Sequence, residues 1–275
     1  ARPLISYLKA LGVLRLVAEQ KDPEVRGAWR DGHFVLFTRL SREGLLQFLV
    51  EEYEPSPIFS PWNAAGGFAV SNPVVALAKN SDAPRWGALK ECHRDLQAHL
   101  EASRDRLAPG QQLLAFIKVK ENKNAFQAAL RNGLPEKSLR WLDVCWVPTE
   151  NSWSAFRLLG TGGLDGKAEF GRMFLRALNQ VAPAMRKDAI ESSRAASRSA
   201  AEMALFDTYT GAEVDGKSSL IGGETLGQFA PSSSGGPNLN NGFGGEKSRL
   251  TNPWDLVLGF EGCLLIQPAA TSRGD

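Results

Sequence analysis

Apolar side chains near the start of the chain recur at the spacing of one helix face. They are Leu4, Leu8, Leu11, Val13, Leu14 and Val17. Lys9, Arg15 and Glu19 fall on the opposite side, and Pro3 suits the first position of a helix. The pattern therefore predicts an amphipathic helix over residues 3–20, with these three charged residues on its polar side.

Residues 33–40 are rich in aromatic and branched side chains, which favour a β-strand. Ser41 follows as a candidate N-cap, so we expect a helix from there through Tyr53. Helical spacing returns in later stretches, which end at Gly133 or break at Pro183 as helices commonly do. These stretches are residues 86–107, residues 111–132, the segment from Pro135 with Leu139 and Trp141, and residues 168–206.

A last helix is predicted from Asn252, because Asn is a favourable N-cap, Pro253 suits the first helical position and Asp255 is acidic. No repeat of about 20 to 50 residues is present. The sequence therefore predicts an α+β, helix-rich fold, with mixed helices, a small sheet and long glycine-rich loops. We expect an N-terminal α+β portion over residues 1–150 and a helical portion with glycine-rich loops over residues 151–275, or one continuous domain.

Three glycine-rich stretches separate these elements, and the first is residues 60–68. It holds Trp62, Asn63 and the pair Gly66 and Gly67. An Asn side chain can bond an adenine edge or a phosphate, and glycine lets another backbone approach closely. The structural alternative is that Trp62 fills the core and Asn63 closes a turn.

The second stretch, residues 160–167, precedes the helix predicted from about residue 168. Glycines before a helix N-terminus expose amides that attract anions, such as the phosphate of a nucleotide or of a nucleic acid. The candidates are Thr161, Gly162, Gly163 and Lys167. The stretch lacks the ending of a P-loop and the spacing of a dinucleotide fingerprint. A tight turn capped by Asp165 is an equal alternative.

The third stretch, residues 222–245, holds eight Gly, three Asn and three consecutive Ser. Between Thr225 and Gly245 it carries no charged side chain. A flexible linker has this composition, but neutral donors and acceptors also suit contact with base edges or with another backbone. The candidates are Gln228, Ser233, Asn238 and Asn240, followed by the charged Lys247 and Arg249.

Charge and cysteine content narrow the function classes. The formal net charge of the 275 residues is only +2, but residues 85–140 hold eleven Lys or Arg against six Asp or Glu. Lys118, Lys120 and Lys123 belong to this region, where a basic face can form. The three cysteines show no CxxC spacing, so neither a zinc site nor a disulfide is expected. No apolar run or signal peptide indicates a membrane, and we expect a cytoplasmic protein.

Candidate catalytic groups are sparse. His93 and His99 lie six positions apart on one predicted helix and so on different faces, which disfavours a shared metal and favours surface or half-buried positions. No nucleophile elbow, zinc-protease motif or paired-carboxylate motif occurs in the sequence. We therefore expect no catalytic residues, no metal and no cofactor.

Several of these segments occur together, in the same order, in one known family. They are residues 3–20, Ser60-Pro61-Trp62-Asn63, residues 159–166, Leu226-Gly227-Gln228-Phe229 and Asn252-Pro253-Trp254-Asp255. In these motifs the chain resembles the N-terminal part of the large subunit of the type I-G (formerly I-U) CRISPR effector complex, Cascade. The resemblance runs collinearly from residue 3 to about residue 271. Members of the family continue farther, so we expect the C-terminal domain of the family to be absent from these 275 residues.

The resemblance implies a non-catalytic subunit at the crRNA 5′-handle end of a prokaryotic, cytoplasmic ribonucleoprotein complex. Such a subunit contacts the protospacer-adjacent motif of target double-stranded DNA, aids its unwinding and recruits the nuclease-helicase, beside the backbone and handle-binding subunits of Cascade. On this view Asn63, Gln228, Asn238 and Asn240 lie near base edges. Phosphate contacts come from Lys118, Lys120, Lys123, Lys167, Arg172, Lys247 and Arg249.

Two other function classes stay open on the sequence. A scaffold subunit of a ribonucleoprotein, without direct reading of DNA, would use Trp62 and Trp254 as core anchors. An enzyme would bind a free nucleotide in the stretch from Gly160 to Lys167. We rank the DNA-contacting subunit first, the scaffold second and the enzyme a distant third.

Overall fold

Helices dominate the structure, a computed structural model that describes residues 4–58, 84–105, 107, 109, 120–148, 153–155, 170–182, 191–206, 221–222 and 250–266. The helices are α1 (Leu4–Gln20), α2 (Arg42–Gln47), α3 (Gly87–Arg104), α4 (Lys120–Gly133), α5 (Glu136–Cys145), α6 (Phe170–Val181), α7 (Glu191–Phe206) and α8 (Pro253–Cys263). Antiparallel pairs join β1 (Arg26–Arg30) to β2 (His33–Phe37), β3 (Trp146–Pro148) to β4 (Trp153–Ala155), and β5 (Ile221–Gly222) to β6 (Leu250–Thr251). The helix-rich α+β prediction is confirmed.

Helix α8 lies at the centre of the core, and every one of its residues is buried. Helix α1 packs along it, and α6 and α7 pack on it as well. The Phe260 ring lies edge-on to the rings of Trp141 and Phe174, at centroid distances of 6.1 and 6.4 Å. Burying one such large side chain contributes about 1.5–3 kcal/mol, so a helix that carries large apolar side chains on several sides is stable in this enclosed position.

Helices α1 and α8 touch backbone to backbone where glycines face each other. A Cβ built on Gly12 would lie 3.0 Å from the backbone nitrogen of Gly262, and one on Gly262 would lie 2.8 Å from the carbonyl carbon of Leu8. The Cβ on Gly12 would also overlap the Leu258 carbonyl oxygen, and the one on Gly262 the Leu8 carbonyl oxygen, so only hydrogen fits at these two positions. The glycines therefore set how closely the two helices approach.

Helix starts follow the capping residues that the sequence indicates. The Ser41 hydroxyl accepts from the Gly44 backbone N–H at 3.0 Å, and α2 then continues through a π-helical turn, Phe48–Glu52, to Tyr53. The Asn252 side chain accepts from the Trp254 backbone N–H at 3.0 Å. Both predicted N-caps are confirmed, because each side chain satisfies an amide that the helix leaves without an internal partner.

Most predicted helices are confirmed near their predicted boundaries. Residues 86–107 contain α3, which a short 3₁₀ turn, Pro84–Trp86, precedes, and the helix predicted from Pro135 begins at Glu136. Residues 111–119 and 183–190 lie outside the described residues, so those parts of two predicted helices stay predictions. One continuous cluster of buried side chains draws on helices from both sides of residue 150.

Two local features differ from the sequence prediction. Arg15, assigned to the polar side of α1, is buried, because it pairs with a carboxylate on α8. The strand predicted over residues 33–40 ends at Phe37 and forms a hairpin with β1, which the apolar pattern did not indicate. The dipeptide Asp31-Gly32 between the two strands is a typical hairpin turn and is the signal that could have revealed β1.

Candidate nucleic-acid interface

Three of the predicted contact residues have a described backbone position. Lys120 and Lys123 lie in the first turn of α4, and Arg172 lies near the start of α6. The other candidates lie outside the described residues. They are Asn63, Gly66, Gly67, Lys118, Thr161, Gly162, Gly163, Lys167, Gln228, Ser233, Asn238, Asn240, Lys247 and Arg249. The structure describes the helices and strands that flank these segments.

Both ends of residues 223–249 are joined by the short pair of strands β5 and β6. Ile221 lies opposite Thr251, and Gly222 lies opposite Leu250, in antiparallel register. Opposite residues of paired strands have Cα atoms only about 5 Å apart. The glycine-rich segment therefore returns to its starting point, as a loop does, whereas a linker between separated bodies would lead away from it.

The C-terminal end of that loop is held by side chains at the start of α8. The Asn252 carboxamide donates to the Ala200 carbonyl at 2.8 Å, and the Trp254 indole N–H donates to the Ser197 carbonyl at 3.0 Å. Both acceptors lie on α7, and both donors are buried. These buried hydrogen bonds fix the start of α8 against α7. Breaking either one would cost free energy, because it leaves a buried polar group with neither a protein partner nor water. The burial of Trp254 agrees with its predicted role as a core anchor; Trp62 lies outside the described residues.

A second fixed point lies at the other end of α8, around the buried carboxylate of Glu261. It accepts from Arg15, from the Tyr53 hydroxyl, and from the Ser56 backbone N–H at 2.9 Å. Arg15 also donates to the Ser56 hydroxyl at 3.0 Å and to the Glu261 carbonyl at 3.0 Å. Ser56 lies just before residues 59–83, the segment that contains the first glycine-rich stretch. The start of that segment is thus bound to α8.

Burial also determines the protonation of the Tyr53 hydroxyl beside Glu261. Burial raises the pKa of Tyr53 well above its usual value, and the neighbouring Glu261 carboxylate raises it further. Tyr53 therefore stays protonated and keeps donating to Glu261. Glu19 extends the network outward, because it accepts from Arg15 at 2.7 Å and from Arg140 of α5 at 2.6 Å.

The two fixed points are separated by the length of α8. Asn252 and Glu261 are nine positions apart, which corresponds to about 14 Å along a helix axis. One buried helix therefore holds the C-terminal base of residues 223–249 and the N-terminal base of residues 59–83. The second glycine-rich stretch is flanked by other elements, because it lies between β4 and α6. Helix α6 begins at Phe170, close to the predicted start.

A cleft of about 570 Å³ lies beside the base of residues 59–83. Its described lining includes charged residues of both signs: Glu54, Glu136, Lys137, Arg140 and Asp143. Three carboxylates against two cations give no excess of positive charge. On charge grounds this lining does not favour a phosphate, so the cleft lends no weight to a nucleotide-binding enzyme.

No family model matches this chain, and no curated protein is significantly similar to it.

The groups most often used in catalysis or metal binding are dispersed in the described part of the chain. No group of three or more His, Cys, Asp or Glu there could hold a metal ion. Cys92, Cys145 and Cys263 are free and buried, while His93 and His99 are half-buried, as predicted. Burial lowers the pKa of His93. None of the helices in the described ranges is long and apolar enough to cross a bilayer.

The sequence patterns missed the basic and aromatic surface of the β1–β2 hairpin. Tyr7, Trp29 and Phe37 are among the most exposed large hydrophobic side chains of the described residues. Arg26, Arg30 and His33 are exposed on the same two strands. Residues 1–60 are balanced in charge, with eight basic and eight acidic residues, so a count over that window hides the local grouping.

Proposed function

We propose that this chain is the large, non-catalytic subunit of a type I-G CRISPR effector complex. In this role it contacts the protospacer-adjacent duplex and the 5′-handle end of the crRNA, aids target unwinding and recruits the nuclease-helicase. The partners are crRNA, target double-stranded DNA, the other Cascade subunits and the nuclease-helicase, in the cytoplasm of a prokaryote. The proposal rests on the collinear motifs from residue 3 to about residue 271.

The observation that supports this role is the anchoring of two glycine-rich segments by one buried helix. A protein that reads a short duplex motif needs backbone segments that enter a groove from a fixed support. Residues 223–249 start and end on the β5–β6 pair, and residues 59–83 follow Ser56, which is bonded to Glu261. Glycine in such segments removes steric bulk, and their Asn and Gln side chains can bond base edges.

The division of contacts between bases and phosphates follows from side-chain chemistry. Asn63, Gln228, Asn238 and Asn240 are neutral donors and acceptors that suit base edges. Cationic side chains interact with every phosphate alike, so they add affinity without sequence preference. They are Lys118, Lys120, Lys123, Lys167, Arg172, Lys247 and Arg249.

The test uses the assembled complex, with crRNA and all protein subunits, and targets whose flanking bases are randomised. Asn63→Ala should broaden the set of flanking sequences that are bound, and Asn179→Ala, an exposed Asn on α6, is the matched control. Lys247→Gln with Arg249→Gln should weaken binding of all sequences alike and flatten its salt dependence by about one unit per lost phosphate contact. Lys137→Gln with Arg198→Gln removes the same charge elsewhere and is the control for that pair.

The outcome also separates the proposal from the scaffold alternative. If all the polar loop residues can be changed to Ala with no change in affinity or flanking preference, the loops do not read DNA. The chain would then be a scaffold, in which Trp254 acts as a core anchor. Calorimetric binding of a free nucleotide to the chain would instead favour the enzyme class and count against both.

A further inference from the structure

The β1–β2 hairpin presents one face that no described element covers fully. Arg26 pairs with Phe37, Ala28 with Val35, and Arg30 with His33, all in one antiparallel register. Alternate residues of a strand point to the same side, so these six side chains share a face. Arg26, Arg30, His33 and Phe37 are exposed, and none of the six is acidic.

Within this face, a cation and an aromatic ring are paired. The Arg30 guanidinium carbon lies 5.2 Å from the centre of the Phe37 ring, although the register partners of these residues lie at opposite ends of the hairpin. Phe37 nevertheless keeps 44% of its surface exposed. A half-exposed ring beside a guanidinium offers both a stacking plane and a positive charge.

The hairpin has a fixed orientation, which keeps this face outward. Asp31 and Gly32 form a two-residue turn with φ of 49° and 73°, as a type I′ turn requires. On the opposite face, Trp29 stacks on Tyr7 of α1, with ring centres 6.0 Å apart and planes 16° from parallel. At the base, Asp22 accepts from the Thr38 hydroxyl at 2.7 Å and from the Arg39 N–H at 2.8 Å.

The charged and aromatic groups of the outward face favour some negatively charged partners over others. Its guanidinium groups attract phosphate, and the exposed ring of Phe37 can stack on a base only if that base is not already enclosed in a duplex. An acidic protein surface would satisfy the charges but has no planar group for the ring. The nearby carboxylates are Asp31 in the turn, and Asp22 and Glu24 at the base. Asp22 accepts from Thr38 and from the Arg39 N–H, and Glu24 pairs with Arg39.

We propose that the hairpin face formed by Arg26, Arg30, His33 and Phe37 binds single-stranded nucleic acid, with a base stacked on Phe37 and phosphates held by the two arginines. This surface is separate from the glycine-rich segments, and its argument does not use them. A chain that belonged to an RNA-guided complex would meet single strands both as guide RNA and as opened DNA.

The experiment measures fluorescence anisotropy of a labelled mixed-sequence strand of about 16 nucleotides, as RNA or as DNA, with the full chain. Arg26→Gln with Arg30→Gln should lower the magnitude of the salt slope by about 1.4, the value for two phosphates on a single strand. Phe37→Leu should weaken binding at least about fivefold, and Phe37→Tyr should retain it. All three variants change exposed side chains, and thermal melting verifies that each is folded.

The control is Arg42→Gln with Arg198→Gln, which removes the same charge from two arginines elsewhere, each ion-paired with a glutamate. Binding that survives the control but not the hairpin variants supports the site, for RNA, for DNA or for both. The proposal is overturned if the unaltered chain does not bind a single strand, if the control loses as much, if Phe37→Leu has no effect, or if a duplex or polyglutamate competes equally well. Because the assay omits the complex and its flanking motif, failure here leaves the test of the loop residues intact.

Discussion

At the scale of single residues, the pair formed by Arg15 and Glu261 shows how this core accommodates charge. Both side chains are buried, and removing two charges from water costs several kcal/mol each. The structure offsets this cost with hydrogen bonds to the Glu261 carboxylate from the Tyr53 hydroxyl and the Ser56 N–H, besides that from Arg15. The pair therefore ties α1, the segment after α2 and α8 in one defined arrangement.

Breaking the pair from one side should be much more costly than breaking an exposed pair. Arg15→Met leaves the Glu261 carboxylate buried without its cation, and we expect a loss of about 3–5 kcal/mol in the free energy of unfolding. Arg42→Met, which removes an exposed ion pair with Glu202, should cost below about 1 kcal/mol. Urea denaturation measures both values. Equal losses in the two variants would show that the Arg15 pair does not stabilise the core.

The buried thiols should make the free energy of unfolding depend on pH in the alkaline range. Burial raises the pKa of Cys92 and of Cys263 from about 9 to about 12, and raises that of Cys145 well above its usual value. Between about pH 9 and pH 12 the unfolded chain loses thiol protons that the folded chain keeps, so the free energy of unfolding should fall as pH rises. Each thiol contributes up to about 1.4 kcal/mol per pH unit.

Two measurements check the thiol prediction. A thiol reagent should label none of the three cysteines in the native protein, and all three in urea. Urea unfolding on both sides of about pH 9 should show a shallower loss of stability for Cys145→Ala with Cys263→Ala than for the unaltered chain. Rapid labelling of the native protein would contradict the burial on which the prediction depends.

At the scale of elements, the contact between α1 and α8 depends on two glycines. Gly262→Ala should lower the free energy of unfolding by about 1–3 kcal/mol or more, because its new methyl group would overlap the Leu8 carbonyl and only backbone movement could relieve it. Gly12→Ala should behave alike. Gly87→Ala is the control, since a Cβ there meets nothing within 4 Å, and it should be neutral or stabilising by up to about 1 kcal/mol. Thermal and urea unfolding compare the three, and a neutral Gly262→Ala would contradict the close packing.

Helices and turns that are determined by residues next to each other in the chain could be predicted from the sequence. The helix after Asn252 has a cap, a proline and an acidic first turn within four residues, and Ser41 precedes its own helix in the same way. Arg15 could not be placed, because its partner Glu261 lies 246 positions away and only the fold brings them together. The hairpin lies between these cases, since its Asp31-Gly32 turn was visible but β1 carries no regular apolar alternation.

At the scale of the whole molecule, the paired strands β5 and β6 bring the two ends of residues 223–249 together. Replacing residues 224–248 by a short glycine turn should leave the fold intact, because Gly222 and Leu250 already lie opposite each other. A shorter loop also lowers the entropic cost of bringing its two ends together. We therefore expect the free energy of unfolding to stay equal or to rise by up to about 1 kcal/mol. Circular dichroism melting measures this. Collapse of the melting transition would show that the segment contributes to the core.

The side-chain chemistry of the candidate interface can be read from the sequence and stays a prediction, whereas the elements that hold its segments could not be predicted. The neutral Asn and Gln side chains of residues 225–245 can be read from the sequence, and so can the lack of charged side chains in that stretch. The strand pair that closes this segment has two residues on each side, too few for a periodic pattern. The bond from the Ser56 N–H to Glu261 likewise joins positions 205 apart, so the pattern near Ser56 carries no sign of it.

The packing of α1 on α8 also has a consequence for the order of folding. Lys9 bonds to Asp255 across 246 positions, at 2.6 Å, and most of the close partners of α1 lie on α8. Contacts between such distant positions form slowly, because a long stretch of chain must be ordered before they are made. During synthesis α1 is made well before the helix that covers it, which is complete only at residue 263. Until then the apolar positions of α1 lack the partner that buries them in the folded chain, so we expect the incomplete chain to be more prone to aggregation than the complete fold.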